Sequence, residues 1–140
     1  MRKLPSRHGQ VDRYNWKAEL QAIIDANNWA HSVHAKNVAL KTMEDRAYFL
    51  HSMFRTLWYE LSPTTLRVMP RNFALRHVEA LAPYWVDQQL EPGTIRLYLS
   101  YVRTFCDWIG KRGMVHEPER YVEDPATVKR VYAAKKDRGW

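Results

Sequence analysis

Apolar residues recur along this chain at three- and four-residue steps in four stretches, the spacing that gives an α-helix one buried side. Trp16, Leu20, Ile23 and Ile24 set out a first helix from Trp16 to about Trp29, with Asn15 or Asp12 placed to cap it. Residues 31–41 lack a clear period and read as a short helix or a basic connection. Met43, Ala47, Leu50, Phe54, Leu57 and Leu61 then follow in steps of four, three, four, three and four, thickened by Met53 and Trp58. This is the strongest periodic signal in the chain and predicts a core helix. Thr42 with Asp45 three residues later fits its start, and Ser62-Pro63 fits its stop.

Residues 62–74 hold Pro63 and Pro70 and read as a linker carrying Arg67 and Arg71. A third helix runs from about Leu75 to Gln89 on Val78, Leu81, Trp85 and Gln89. Pro83 lies in its middle, where a missing N–H and a ring clash predict a kink or two short helices meeting near Ala82. The fourth, Thr94 to Gly113, has an apolar stripe of Ile95, Leu99, Val102, Cys106 and Ile109, widened by Tyr98 and Phe105. Thr94 reads as its N-cap, and Lys111, Arg112 and Gly113 as its end. Away from the stripe lie Arg96, Ser100, Arg103, Asp107 and Lys111. That face reads either as a surface for a polyanion or as solvated surface with Arg103 and Asp107 an i,i+4 pair. Packing the stripe inward would leave Arg96 and Arg103 outward and open. Past Gly113, the carboxylates of residues 117–124 read as a solvated acidic connection, and Asp124-Pro125 opens a short basic helix from Ala126 to Lys136, with Val128 and Val131 inward.

All four stretches are helical and their connections are short, so the fold class is all-α, a compact bundle of four to five helices. Three segments follow: residues 1–32, a basic arm plus first helix; 33–115, the helical domain; and 116–140, an acidic linker and short basic helix. Only 5 Gly in 140 residues disfavours a turn-rich β fold, and 6 Trp and 8 Tyr argue against disorder. No apolar run approaches a membrane span and the start has no signal-peptide core, so the expected location is the cytosol, with no membrane partner. The single Cys106 excludes an internal disulfide and, on the apolar stripe, reads as a core residue.

Charge alters this picture. The chain is net +7 with a pI near 9.7, which favours anionic partners, nucleic acid first. Basic blocks at 1–15, 36–76, 94–114 and 125–140 alternate with acidic blocks at 77–93 and 115–124, each of the latter net −3.

Pro92-Gly93-Thr94-Ile95-Arg96 through Leu99-Ser100-x-Val102-Arg103, the aromatic patch after it and the closing Gly113 resemble the last long helix of the N-terminal, core-binding domain of tyrosine recombinases (phage-type integrases), a SAM-like fold. Leu75 to Leu81 with Trp85 is similar to the preceding helix of that domain, and Thr42, Arg46 and Leu50 to the start of an earlier one. The likeness spans roughly residues 33–140 and is a pattern of helices, from which this chain departs at Pro83, where the family usually has no proline. It implies a domain that clamps duplex DNA at a recombination site during integration or excision of a mobile element, in a prokaryotic cytosol, with the parent recombinase's catalytic domain as a partner and oligomers forming on DNA. The DNA-binding candidates it implies are Lys36, Lys41, Thr42, Arg71, Arg76, Thr94, Arg96, Ser100, Arg103 and Lys111.

The family's cleavage chemistry needs a tyrosine nucleophile amid Arg, Lys and a His-x-x-Arg pair. His51 and Arg55 are one residue too far apart for that pair, so no catalytic residue is assigned and no strand cleavage is expected of this chain. His31 and His34 share a helical face but lack further ligands, and no Gly-rich phosphate loop occurs, so neither a metal nor a cofactor is expected. His77, near a helix N-terminus, reads as a structural histidine bonded to backbone or water. The alternatives to a recombinase domain are a stand-alone helical DNA-binding regulator and a helical protein-interaction module.

Overall fold

A computed structural model describes residues 15–29, 39–61 and 64–128. Four α-helices account for most of them: α1 (Trp16–Asn27), α2 (Leu40–Tyr59), α3 (Leu75–Asp87) and α4 (Pro92–Trp108). Short 3-10 turns occupy Thr64–Leu66, Pro70–Asn72, Pro118–Tyr121 and Pro125–Val128, and no strand occurs among the described residues. The fold is an all-α bundle. None of the described helices is long and apolar enough to cross a membrane.

Helix α1 starts where its side chains dictate, with the Asn15 Oδ1 accepting from the Ala18 N–H at 3.2 Å. The expected starts of α2 and α4 are corrected. Helix α2 begins at Leu40 after Ala39, so Thr42 lies inside its first turn, and Asp45 pairs with Lys41 at 3.2 Å instead of completing a capping box. Helix α4 begins at Pro92, which suits a first helical position because its missing N–H has no intrahelical partner there; Thr94 is therefore interior. Helix α4 ends at Trp108, and Gly110, at φ +81°, makes the left-handed turn out of it, ahead of the expected Gly113. Helix α3 runs unbroken through Pro83 and does not split near Ala82. Pro83 and Glu79, whose carbonyl the proline leaves without its intrahelical donor, are both exposed residues. The expected helix from Ala126 begins as the turn Pro125–Val128, and residues 129–136 lie outside the described residues.

The core is aromatic at its centre. Phe54 of α2 is fully buried; its ring centroid lies 6.1 Å from Trp16 of α1, 5.8 Å from Phe73 and 5.7 Å from Phe105 of α4. Around it pack Leu50, Leu57, Leu81, Ile95, Leu99 and Val102, all without exposure. The supposed linker 64–74 contributes Leu66, Val68, Pro70 and Phe73 to this core. Trp58 holds it in place by donating its indole N–H to the Val68 carbonyl at 2.9 Å. The buried side of α2 is turned slightly from the expected stripe: Phe49 and Arg46 are buried, while Met43, Ala47 and Leu61 are only half-buried. Cys106 is buried as expected, and burial pushes its thiol up to about 12.

Two buried polar side chains tie elements together. Arg46, 5% exposed, donates from Nη1 to the Asn28 Oδ1 at 2.9 Å and lies over the Trp108 ring at 5.6 Å. Asn28 donates in turn to the Met43 carbonyl at 2.8 Å, so the end of α1, the start of α2 and the end of α4 meet at one guanidinium. Its Nε finds no hydrogen-bond partner, and burial lowers its pKa. His77 stacks on Phe73 and accepts at Nδ1 from the Ala74 N–H at 2.9 Å, which satisfies the start of α3. Its Nε2 is buried without a partner.

Two predictions follow from this packing. Phe54→Ala should cost about 3–5 kcal/mol in urea unfolding, the range for a buried phenylalanine truncation. Burial, then Arg76, and to a lesser extent Lys111, hold His77 neutral with its pKa lowered to about 4. A folded-state pKa below the unfolded one stabilises the fold above pH 6.5 and is lost as pH falls toward 4. That share amounts to roughly 3 kcal/mol, and His77→Gln should remove it from a pH series of urea midpoints.

Candidate nucleic-acid interface

Arg96, Ser100 and Arg103 do line one side of α4, as their four- and three-residue steps require. They are not open to a ligand in the way the helical period alone implies. The turn Pro118–Tyr121 packs on α3 and α4 and is anchored by buried Pro118 and Tyr121. Tyr121 accepts from the His116 N–H at 2.6 Å, and its phenol is pushed up chiefly by burial. This anchoring brings two carboxylates over the helix. Arg96 makes an ion pair with Glu119, the two side chains being 26% and 36% exposed. Arg103 donates to the His116 carbonyl at 3.0 Å and lies 3.6 Å from Glu117. Glu119, and more loosely Glu117, are thus partners of the basic helix, while Glu123 and Asp124 are exposed as expected of a solvated connection. Asp107, expected to pair with Arg103, lies 3.5 Å from Arg112.

The other expected residues scatter. Ser100 is exposed, and Thr94 is half-buried within α4. Lys111 donates to the Phe73 carbonyl, so it fastens the end of α4 to the 64–74 segment. Lys41 and Thr42 stand at the start of α2; the Arg46–Trp108 contact sets that start beside the end of α4, away from Arg96. Arg71 and Arg76 are exposed, and the Arg71 N–H donates to Glu19 of α1 at 2.8 Å. Lys36 lies outside the described residues, as do His31 and His34. Among the described residues no three His, Cys, Asp or Glu form a metal-binding group.

Pattern reading missed a second basic site. His51 of α2 bonds Gln21 of α1 at 2.9 Å, and its pKa is lowered by burial and then by Arg55 and Lys17. Both cations are exposed beside that histidine, while Glu19, which accepts from the Arg71 N–H, lies on the other side of α1. Lys17 and Arg55 belong to different helices, so their closeness has no signature in either helix alone.

The charge divides unevenly along the chain. The described residues hold twelve Lys and Arg against thirteen Asp and Glu, close to neutral. The remaining residues, 1–14, 30–38, 62–63 and 129–140, hold ten against two, and so carry all of the chain's net positive charge.

No protein-family model, curated protein or solved structure matches this chain.

The anchoring of the acidic segment makes a graded prediction for thermal or urea unfolding. Tyr121→Phe should cost about 1 kcal/mol through its lost hydrogen bond. Glu119→Gln should cost about 0.5–1 kcal/mol, the range for a partly exposed ion pair. Glu123→Gln, on the exposed side of the same segment, should stay within about 0.5 kcal/mol.

Proposed function

We propose that this chain binds duplex DNA as a helical domain of the tyrosine-recombinase core-binding type, and that it cleaves no strand by itself. The observation that carries this reading is the distribution of charge along the sequence: residues 1–14 and 129–140 hold nine cations against two anions, while residues 15–128 hold thirteen of each. A polyanion is gripped by such cations through release of its counterions, a term that sets affinity without reading sequence. Exposed Lys17, Arg55, Arg71 and Arg76 add phosphate contacts on the bundle itself. The helical order and the α4 sequence supply the likeness to the recombinase domain. Burial pushes the phenols of Tyr101 and Tyr121 up, the opposite of the shift that activates a nucleophile.

On this reading Arg96 and Arg103 engage phosphates only in exchange for Glu119 and Glu117. Like charges keep a phosphate and those carboxylates apart, so the acidic turn acts as a competitor for the site. A protein-interaction module is the second reading, favoured by exposed Tyr48, Leu97 and Leu40 on a near-neutral bundle.

Salt titration of binding to specific and random duplexes tests the proposal. The chain should bind both with a steep slope, and replacing Lys129, Arg130, Lys135, Lys136 and Arg138 by Ala should flatten the log–log slope by about four to five units. Glu117→Gln with Glu119→Gln should raise affinity about tenfold at low salt and steepen the slope by up to about two units if α4 meets the backbone. Salt-independent or absent binding would remove the DNA reading and leave the interaction module.

A further inference from the structure

A cleft of about 240 Å³ opens between α2 and α4, with Trp85 of α3 at its inner end. It lies near the lower edge of the roughly 300–1,000 Å³ typical of small-molecule sites. Its walls are aromatic. Phe49 and Trp85 are buried and form the floor, with Tyr98 and Tyr101 half-buried on α4 and Tyr48 standing at the rim, 76% exposed. The rings brace one another: Phe49 lies 4.6 Å from Tyr98 and 5.4 Å from Tyr101, and Trp85 lies 5.3 Å from Tyr98. Such contacts hold the ring faces in place before any ligand arrives.

Among the described residues the one charged side chain lining the cleft is the Asp45 carboxylate. It is close enough to Tyr101 to help push that phenol up, after burial. Two cations are nearby, and neither lines the cleft. Lys41 is 81% exposed and makes only a surface pair with Asp45, a kind of contact that is weakly held. Arg46 is buried and committed to Asn28 and the Trp108 ring. Electron-rich ring faces beside an available carboxylate attract a positive charge whose own surface is apolar. The same carboxylate repels phosphate, which separates this cleft from the basic sites described above.

We propose that the cleft between α2 and α4 binds a small organic cation of the alkylated ammonium class, its positive head against Tyr48, Tyr98 and Tyr101 and its charge balanced by Asp45. The cleft is sized for a head group and not for a folded partner. This site is independent of any contact with DNA.

Isothermal titration of the intact chain with choline, and with its uncharged isostere 3,3-dimethyl-1-butanol, tests the proposal. Choline should bind saturably, and the isostere at least about tenfold more weakly, as expected where ring faces and a carboxylate favour the charge. Asp45→Asn and Tyr48→Ala should each weaken choline by about tenfold or less, while Glu123→Gln leaves it unchanged. Asp45 and Tyr48 are surface residues, and an unaltered circular dichroism spectrum confirms that the variants fold. No saturable binding overturns the proposal. Equal binding of the isostere overturns it by reducing the cleft to a greasy groove. Choline affinity indifferent to both variants overturns it by placing the ligand elsewhere. A trimethyl-lysine peptide bound far more tightly than choline overturns it in favour of a protein partner.

Discussion

Phe54 sits where three separate parts of the chain must meet. Its ring faces Trp16 of α1, Phe73 of the 64–74 segment and Phe105 of α4, and Phe73 and Phe105 close the group at 5.9 Å. A small bundle has little interior to distribute, so a few large rings supply much of its buried apolar surface. Rings also demand orientation. Edge-on contacts at these separations fix how far each helix is rotated about its own axis, and that rotation decides which residues of α4 face the Pro118–Tyr121 turn. The pairing of Arg96 and Arg103 with carboxylates is therefore downstream of how Phe105 is seated.

The helices were legible because each carries enough apolar residues at the right spacing to declare its buried side. Ile95, Leu99, Val102 and Cys106 are buried together as that spacing implies. Helix starts were less legible. Thr42 and Thr94 have capping chemistry, yet both are interior: α2 starts at Leu40 with no side-chain cap, and α4 starts at Pro92, whose missing N–H suits a first position. Phe73, Leu66 and Val68 escaped notice because a segment of 3-10 turns has no repeating spacing to read. Arg46 escaped for another reason: a charged residue is counted as outward by default, and only its partners on α1 and α4 reveal why it is inside.

The electrostatics repeat that lesson at larger scale. The basic block of α4 and the acidic block after it appeared as neighbours of opposite sign, and folding sets one upon the other. Much of the cationic character that drew attention to α4 is thus answered within the molecule. Among the described residues, exposed cations remain elsewhere, including Lys17, Arg55, Arg67, Arg71, Arg76 and Arg120. The α2–α4 cleft has a different character, with aromatic side chains and the Asp45 carboxylate in its lining.

Arg46 has a consequence for how the chain avoids wrong structures. Taking a guanidinium out of water is costly, and here it is offset by an amide oxygen and an indole face and not by a carboxylate. Those two groups come from different helices. If α2 slid by one turn against its neighbours, Leu50 would take the place of Arg46, and the hydrophobic surface would still be largely covered. The guanidinium, however, would be carried away from both Asn28 and Trp108. Apolar contacts alone tolerate such slippage; a buried charge with only one acceptable seat does not. Arg46 thereby penalises alignments of α1, α2 and α4 that would part it from Asn28 and Trp108.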